Sequence, residues 1–171
     1  MALNTTASLS ADIVFQQQDT DSNSNDNRQG SVSYSKSLSA GTGSLQINSI
    51  YNVQAAQIDP AGSYSIDFNN LSQNIVGGSM SISFNNIKSI CINNLSTTIG
   101  EDLSVRAIGS NVFDEPFNGQ SGNVLIKPSA SYIYSDPHTG ATVDGSNKNF
   151  QIYNAGTGTG NFTLVVVGVT G

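Results

Sequence analysis

The chain has one histidine and one cysteine, so chemistry that needs an imidazole or a thiolate depends on these two residues. His138 lies in the turn 136–140, and this placement beside Pro and Gly favours an exposed loop histidine. Cys91 lies in the apolar run 90–92 without a basic neighbour to lower its pKa, which is typical of a small buried hydrophobe. We therefore expect neither residue to be catalytic.

Carboxylates offer no better signal for catalysis. Glu101 and Asp102 are adjacent in the chain, and so are Asp114 and Glu115. Adjacent side chains diverge in an extended chain, whereas a glycosidase needs two carboxyl groups that face each other. Two acidic residues from distant loops can still meet, but neither pair indicates such a site, and we predict that the protein is not an enzyme.

One segment matches part of a calcium-binding loop. Four oxygen-bearing side chains occur at alternate positions: Asp19, Asp21, Asn23 and Asn25. The match then fails, because Ser24 stands where the loop needs glycine and Gly30 stands where it needs a bidentate glutamate. We expect a solvated polar loop and predict no metal or cofactor site, and calcium binding at 19–25 stays an open alternative.

Two further patterns have structural interpretations. The glycines at 156, 158 and 160 are followed by neither Lys-Ser/Thr nor a helix pattern, so they predict a hairpin connection and not a phosphate-binding loop. Tyr132 and Tyr134 would share one face of a strand, where core or interface packing is expected before a sugar-binding platform.

Asn-x-Ser/Thr sequons occur at Asn4, Asn70, Asn94 and Asn161. A chain this rich in Asn, Ser and Thr produces about that many by chance. Its start has neither the positive nor the apolar segment of a signal peptide, and no apolar run is long enough to span a bilayer. We expect synthesis in the cytoplasm and no membrane partner, and the sequons then carry no functional meaning.

The elements that must position these residues are predicted to be strands. Apolar residues recur with a period of two, and the period of an amphipathic helix does not persist beyond one turn. Half-buried strands are predicted from alternating side chains at 32–38, 64–68 and 80–84, and a first strand is predicted at 11–15. Further strands, the most apolar of them central, are predicted at 87–92, 103–107, 124–126, 131–134, 150–153 and 162–167.

Glycine, proline and asparagine turns separate these strands at intervals typical of a two-layer β-sandwich. The chain lacks the Cys…Trp…Cys core of an immunoglobulin domain, which favours a jelly roll. Residues 16–31 contain no apolar side chain and predict a loop or an arm. The predicted organisation is a polar N-terminal strand with an arm or loop at 1–30, followed by one β-sandwich domain at 31–171.

The amino-acid composition limits the classes of molecule that the chain can bind. Charged residues make up 11% of the 171 residues, and twelve acidic against six basic residues give a net charge of −6. Without a cluster of Lys and Arg there is no groove for a phosphate backbone and no polybasic membrane patch. We predict no nucleic-acid partner, and a surface of Ser, Asn, Thr and Gln that suits protein contacts.

From residue 63 to 168 the order of short signatures resembles small virion structural proteins of tailed bacteriophages, several of which act as capsid decoration or cement proteins. The matching segments are Asn69-Asn70-Leu71 with the Gly turn and strand at 77–88, the strand at 90–94, the turn at 124–129, the strand and Pro turn at 132–137, the strands at 141–143 and 150–154, and the final hairpin at 154–168. Ser129 and Ala130 replace the glycines that the family usually has in its turn, and residues 1–50 fit more loosely.

The resemblance implies a homo-oligomeric decoration protein, with a trimer favoured, that binds the major capsid protein on the outer surface of the virion. It would tie capsid subunits together where they meet, and residues 1–31 are expected to contribute contacts. The alternatives are a tail, baseplate or receptor-binding component, or a lectin-like sandwich that uses loops near Tyr132 and His138. An enzyme of the depolymerase type ranks third because one histidine and no facing carboxylates offer little machinery.

Overall fold

A computed structural model describes residues 5–18, 27–75, 78–107, 109–117 and 122–171. Its strands, in chain order, are β1 (Ala7–Gln18), β2 (Asn27–Ala40), β3 (Gln46–Ile47), β4 (Ser49–Ile58), β5 (Ser63–Asp67), β6 (Leu71–Ile75), β7 (Gly78–Ile82), β8 (Phe84–Asn94), β9 (Leu103–Arg106), β10 (Asn123–Ile126), β11 (Ser131–Ser135), β12 (Ala141–Thr142), β13 (Asn149–Asn154) and β14 (Gly160–Thr170). One 3-10 turn at Glu115–Phe117 precedes β10.

Eight strands form two antiparallel sheets, with the orders β11-β8-β14-β4 and β10-β9-β13-β5, and β12 extends the first sheet beside β8. The pairing is nested: the first of the eight pairs with the last (β4 with β14), the second with the seventh (β5 with β13), the third with the sixth (β8 with β11) and the fourth with the fifth (β9 with β10). This is the strand arrangement of a jelly roll. The predicted all-β sandwich of jelly-roll type is confirmed.

The core lies between the two sheets and takes alternate side chains from each. In β13, Phe150 and Ile152 point inward while their neighbours are partly exposed. The ring of Phe150 lies 5.6 Å from that of Phe68, which in turn makes an edge-on contact with Phe113 at 5.0 Å. Such packing fixes the register of each strand, because a slip by one residue would turn the apolar set outward. The predicted central strands at 87–92 and 162–167 are β8 and β14, each paired on both sides.

Asn94 is a buried polar residue that ties loops to the end of β8. Its Nδ2 donates hydrogen bonds to the carbonyl oxygens of Glu101 (2.9 Å) and Ile126 (3.0 Å), and its Oδ1 accepts from the amide of Ser96 (3.0 Å). Buried polar groups are tolerated when they are paired in this way. The side chain therefore adds hydrogen bonds to the carbonyl oxygens of Glu101 and Ile126, while the backbone of Asn94 stays bonded to Ala130 and Ser129.

Asn154 does the same at the end of β13. Its Nδ2 donates to the carbonyl oxygens of Ile58 (2.9 Å) and Gly158 (2.7 Å), and its Oδ1 accepts from the amide of Gly156 (2.9 Å). The two asparagines thus hold loops at the ends of two central strands. Neither role follows from strand periodicity, since an inward-facing asparagine interrupts the apolar pattern.

β1 and β2 form a two-stranded antiparallel ribbon that stands apart from the two sheets. The pairing runs without a break from Ala7 opposite Leu38 to the far end of β1. At its base, Leu38 packs with Ile47 and Val167 in a second apolar cluster, and β2 also pairs in parallel with β3. Farther along, the ribbon side chains that are described become exposed.

The structure of the ribbon differs from what the sequence predicted for residues 16–31 and 32–38. The strand predicted at 32–38 exists, but it is not half-buried, since Val32 is 65% exposed and only its end at Leu38 is covered. The loop or arm predicted at 16–31 includes strand at 16–18 and 27–31, because backbone ladder bonds do not need apolar side chains. Residues 19–26 lie outside the described part, and β2 continues on both sides of residue 31.

Strand β4 has no counterpart among the predicted strands. Its alternation is interrupted by a bulge opposite Phe162 and Leu164, where Ala55 adopts a left-handed φ of 50°. A bulge inserts one residue into one strand and reverses the inward and outward positions that follow it. The pattern at 49–58 therefore does not have one period along its length.

Replacing Asn94 with alanine is expected to lower the free energy of unfolding by about 2–3 kcal/mol, because the carbonyl oxygens of Glu101 and Ile126 lose their buried donor. Denaturant unfolding measures the change. Asn70→Ala is the matched control, since Asn70 is an exposed turn residue, and its cost is expected to be within about 0.5 kcal/mol. Equal losses in the two variants would contradict the role of the buried amide.

Candidate interaction surface

The ribbon has one apolar face. Residues directly opposite each other in an antiparallel pair point to the same side, so the pairs Ala11–Tyr34 and Ile13–Val32 share a face with Leu9. Ile13 is 67% exposed and Tyr34 is 41% exposed. We call these five residues the apolar ribbon face. Nothing in the described part of the chain covers its outer half.

The opposite face of the ribbon is polar except for one position. Asp12 lies opposite Ser33, and Val14 lies opposite Ser31. Val14 is 80% exposed, and it is the large apolar side chain of that face among those described. One face of the ribbon is therefore mainly apolar and the other mainly polar.

A cleft of about 290 Å³ connects the base of the apolar ribbon face with the outer surface of the β11-β8-β14 sheet. Leu9 lines one wall, and the floor is a row of neighbours across three strands, Ile133, Cys91 and Val165. Ile133 and Val165 are each about two-fifths exposed. The apolar floor of the cleft thus adjoins the apolar ribbon face at Leu9, and Lys36 lies on the same face of the ribbon opposite Leu9.

Cys91 therefore faces outward on β8 and is only half-buried, whereas the sequence predicted burial. Burial under the ribbon base raises the pKa of its thiol, which keeps the sulfur protonated and weakly nucleophilic. Its place in the cleft floor gives it the role of a small apolar surface residue.

Tyr132 and Tyr134 lie side by side on β11 and pack against the sandwich core. Burial raises the pKa of both phenols; that of Tyr134 reaches about 12, with the nearby carboxylates of Asp136 and Glu115 adding to the shift. The prediction of core packing for these two rings is confirmed. Their faces do not form an open platform for a sugar.

His138 is exposed in its turn, and its Nδ1 lies 3.1 Å from Oγ of Ser44. The turn is held from below by Lys88, whose buried ammonium donates to the carbonyl oxygens of His138 (2.6 Å) and Thr139 (2.8 Å). Burial lowers the pKa of Lys88, and the charge of Asp136 opposes that shift. The expected exposed loop histidine is confirmed, and Lys88 is a structural residue that the sequence did not single out.

The acidic pairs do not come together in a site. Asp102 forms an ion pair of 2.7 Å with Lys127, which is largely exposed. Asp114 and Glu115 lie at the start of the 3-10 turn. An exposed ion pair of this kind contributes between about zero and 1 kcal/mol. Among the described residues, no group of three or more His, Cys, Asp and Glu side chains is placed to hold a metal ion.

The remaining sequence signals also have structural positions. The glycines at 156, 158 and 160 lead from β13 into β14, but this connection is not the predicted hairpin, because β13 and β14 belong to different sheets and do not pair. Gly156 is needed there, because a Cβ atom at this position would lie 2.7 Å from Cα of Glu101.

The residues that match part of a calcium-binding loop, Asp19, Asp21, Asn23 and Asn25, lie outside the described part of the chain, as does the sequon residue Asn4. Of the other sequons, Asn94 is buried with both amide hydrogens in use, Asn70 is exposed and Asn161 is partly exposed.

A second, larger cleft of about 690 Å³ lies beside the last residues of β14. Its polar lining consists of hydroxyl and amide side chains, among them Thr5, Ser83 and Asn85, and Met80 adds an apolar wall. Asn48 is fixed there by Thr170, whose amide donates to Oδ1 at 2.8 Å. This lining can form hydrogen bonds but supplies no side-chain acid or base.

Sequence reasoning missed the exposed apolar ribbon face. It took the polar stretch 16–31 as the feature that projects, and treated 32–38 as part of the sandwich. The signal was present in Leu9, Ala11 and Ile13, which alternate with polar residues and match the alternation at 32–38. Alternation identifies an apolar face, and only the tertiary structure shows whether it is covered.

In the described part of the chain, no helix has the length and apolar character needed to cross a bilayer.

No model of a protein family matches the sequence, and no curated protein matches it. Among solved structures, the chain is similar to the crystal structure of the mitogen derived from Yersinia pseudotuberculosis, at 16% sequence identity and a TM-score of 0.36. That match covers 70% of this chain and 86% of the mitogen chain.

Replacing Lys88 with methionine is expected to destabilise the protein by about 1–2 kcal/mol, because methionine fills the apolar path of the side chain but donates no hydrogen bond to the turn at 138–139. Thermal unfolding measures the loss. Lys127→Met removes a charge from the surface ion pair and serves as the control, with an expected change below about 1 kcal/mol. A Lys88→Met variant as stable as the wild type would contradict the anchoring role.

Tyr134 is expected to contribute stability that is lost at high pH. Its folded pKa of about 12 lies above the unfolded value of 10.0, so the contribution is complete below pH 10 and declines as the pH rises toward 12. Absorbance of tyrosinate in the folded protein, together with urea unfolding between pH 9 and 11, measures both quantities. Tyr134→Phe should lose less stability over this interval than the wild type; equal losses would show that Tyr134 is not the group responsible.

Proposed function

We propose that this chain is a virion structural protein that decorates the assembled head of a tailed bacteriophage. It binds the major capsid protein on the outer surface where capsid subunits meet, as a homo-oligomer, and holds them together without enzymatic activity. The observation that carries the proposal is the ribbon, a long projecting element joined to a rigid sandwich. The resemblance of residues 63–168 to decoration proteins agrees with it.

The ribbon suits attachment for a geometric reason. Twelve residues of β1 at about 3.3 Å each extend about 40 Å, which is comparable to the width of a small domain. Its base is fixed by the cluster of Leu38, Ile47 and Val167. An element fixed at one end and exposed along its length can reach across a junction between neighbouring subunits and lose little conformational freedom on binding.

The surface of the sandwich supports the same proposal. With 11% charged residues, the surface presents few charges that a protein interface would have to desolvate, and the net charge of −6 does not repel a neutral protein surface. Interfaces of this kind use hydroxyl and amide groups and ordered water as well as apolar contacts. Such a surface fits a protein that is present in many copies on a shell.

The stabilising mechanism would be binding linkage. A ligand that binds the assembled shell and not the separate subunits shifts the equilibrium toward assembly, and the shift grows with the logarithm of its concentration over the dissociation constant. A junction that contacts several subunits at once makes this selectivity automatic, because the complete binding site exists only in the shell.

The test is the copy number per purified virion and the opening temperature of the capsid with and without this protein. A number of copies comparable to that of the major capsid protein and a higher opening temperature with the protein bound are expected. Quantitative mass spectrometry and differential scanning fluorimetry measure the two. A few tens of copies would place the chain in the tail or at a vertex, and absence from the particle or an unchanged opening temperature would overturn the proposal.

A shortened ribbon provides the matched variant. Ser10 lies opposite Ser35, so residues 11–34 can be replaced by Asn-Gly, which closes two antiparallel strands in a tight turn. This variant keeps the anchored base and both sheets. It is expected to fold but to bind capsids weakly, and binding equal to that of the full chain would exclude the ribbon as the attachment element.

A further inference from the structure

We infer that the outer face of the β10-β9-β13-β5 sheet carries a binding site for an acidic saccharide, a sugar ring with a carboxylate beside its hydroxyl groups. Arg106 binds the carboxylate, and the cleft next to it takes the ring. The site lies on the sandwich and not on the ribbon, so the inference does not depend on the proposed function.

Arg106 is held in place on β9 from two sides. Its guanidinium carbon lies 3.5 Å from the centre of the Tyr153 ring on the neighbouring strand, which is a cation–π contact. Its Nε donates to Oγ of Ser104 at 3.3 Å, and this fully buried hydroxyl in turn donates to Oδ1 of Asn123. A guanidinium positioned in this way loses little side-chain freedom when it binds a ligand.

The two terminal nitrogens of Arg106 remain available. Among the described residues, none accepts a hydrogen bond from Nη1 or Nη2, and Arg106 belongs to neither of the ion pairs that the structure describes. Two parallel N–H groups of an arginine match the two oxygens of a carboxylate. In a chain with twelve acidic and six basic residues, an arginine that pairs with no described carboxylate suits a carboxylate from outside the chain.

A cleft of about 340 Å³ opens one strand away from Arg106. Its floor is the outer side of β13 and β5, where Gln151 lies between Arg106 and Ser65 in the strand register. Residues 109–110 form one wall, and Asn149 fixes this wall by donating from Nδ2 to a carbonyl oxygen there at 2.8 Å. The volume lies at the lower end of the range for ligand pockets, which suits a single sugar ring.

The cleft lining favours a ligand with several hydroxyl groups. Ser65 and Gln151 carry groups that both donate and accept hydrogen bonds, as the hydroxyls of a sugar do. The one acidic residue of the lining, Asp67, has both oxygens engaged: Oδ2 accepts from the ammonium of Lys148 at 2.7 Å, and Oδ1 accepts from the amide of Asn69 at 3.0 Å. Its charge is therefore balanced within the protein and opposes an acidic ligand only weakly.

The spacing and the overall charge limit the ligand to a short acidic sugar. Neighbouring strands lie about 4.8 Å apart, so the side chains of Arg106 and Gln151 start from points separated by about that distance. A carboxylate on a sugar ring is separated from the ring hydroxyls by a similar distance, and one molecule can contact both side chains. The net charge of −6 disfavours a long polyanion, whereas a single carboxylate needs only the local charge of Arg106.

The test is a chemical-shift titration of the isotope-labelled full chain. Glucuronate and N-acetylneuraminate carry both a carboxylate and hydroxyls, glucose carries hydroxyls alone, and cyclohexanecarboxylate carries a carboxylate on a ring without hydroxyls. At least one acidic sugar is expected to bind with a dissociation constant of about 1 mM and to shift signals of Arg106, Ser110 and Gln151. Glucose and cyclohexanecarboxylate are expected to bind about 10-fold more weakly or less, because each lacks one set of contacts.

Variants at Arg106 test the role of its charge and of its shape. Arg106→Gln removes the charge and is expected to weaken binding of the acidic sugar about 10- to 100-fold. Arg106→Lys keeps the charge but loses the paired N–H groups, and its affinity is expected to lie between these two. Lys127→Gln removes an exposed positive charge outside the cleft lining and is the matched control, with no expected change in affinity. Thermal unfolding checks that each variant is folded.

Four results would overturn the inference. The first is that neither acidic sugar shifts these signals at about 20 mM. The second is that glucose binds as tightly as glucuronate and N-acetylneuraminate, and the third is that cyclohexanecarboxylate does so, which would assign the site to a carboxylate without a sugar, such as an acidic protein side chain. The fourth is that Arg106→Gln binds like the wild type. None of these measurements involves a capsid, so this inference and the proposed function fail separately.

Discussion

The structure depends on the pairing of β14 along both of its edges. This strand pairs with β4 from residue 160 to 168 on one side and with β8 from residue 162 to 170 on the other, so it joins the first strand of the jelly roll to the third. Both ladders contain irregularities, and at one of them Gly168 allows a close approach, since a Cβ atom there would lie 2.3 Å from the carbonyl oxygen of Asn86. A larger residue at 168 would force the two strands apart.

That irregularity explains why a lysine is buried in a central strand. Opposite Val167 and Gly168, β8 has one additional residue, Lys88, which is left without a partner in the ladder. Its side chain runs below the turn at 138–140 and bonds to two carbonyl oxygens of that turn. Lys88 at this irregularity, and Asn94 and Asn154 at the ends of their strands, are buried polar side chains that donate hydrogen bonds to carbonyl oxygens of neighbouring segments.

The periodicity of apolar residues predicts a strand only where the inward and outward positions alternate without a break. It identified the central strands and the jelly roll, because most inward positions in β8, β13 and β14 are apolar, with Asn94 and Asn154 as the exceptions at the strand ends. It missed β4, where the bulge at Ala55 reverses the alternation. Ser129 has a φ of 62°, a backbone conformation that favours glycine. The turn at this position therefore lacks the glycine that would have indicated it in the sequence.

The ribbon shows a second limit of periodicity, which identifies an apolar face but not whether the fold covers it. Periodicity gave Val32, Tyr34 and Leu38 one apolar face, and the fold covers only the end at Leu38. A two-stranded ribbon is marginally stable in water by itself, so its length must be supported by contacts at its base or by a partner. β1 also has a free edge and exposed apolar residues, which in an isolated chain favour uncontrolled pairing with other chains. A partner that covered the apolar face and paired with the free edge would remove both problems, because it would add the support that the sandwich provides only at one end.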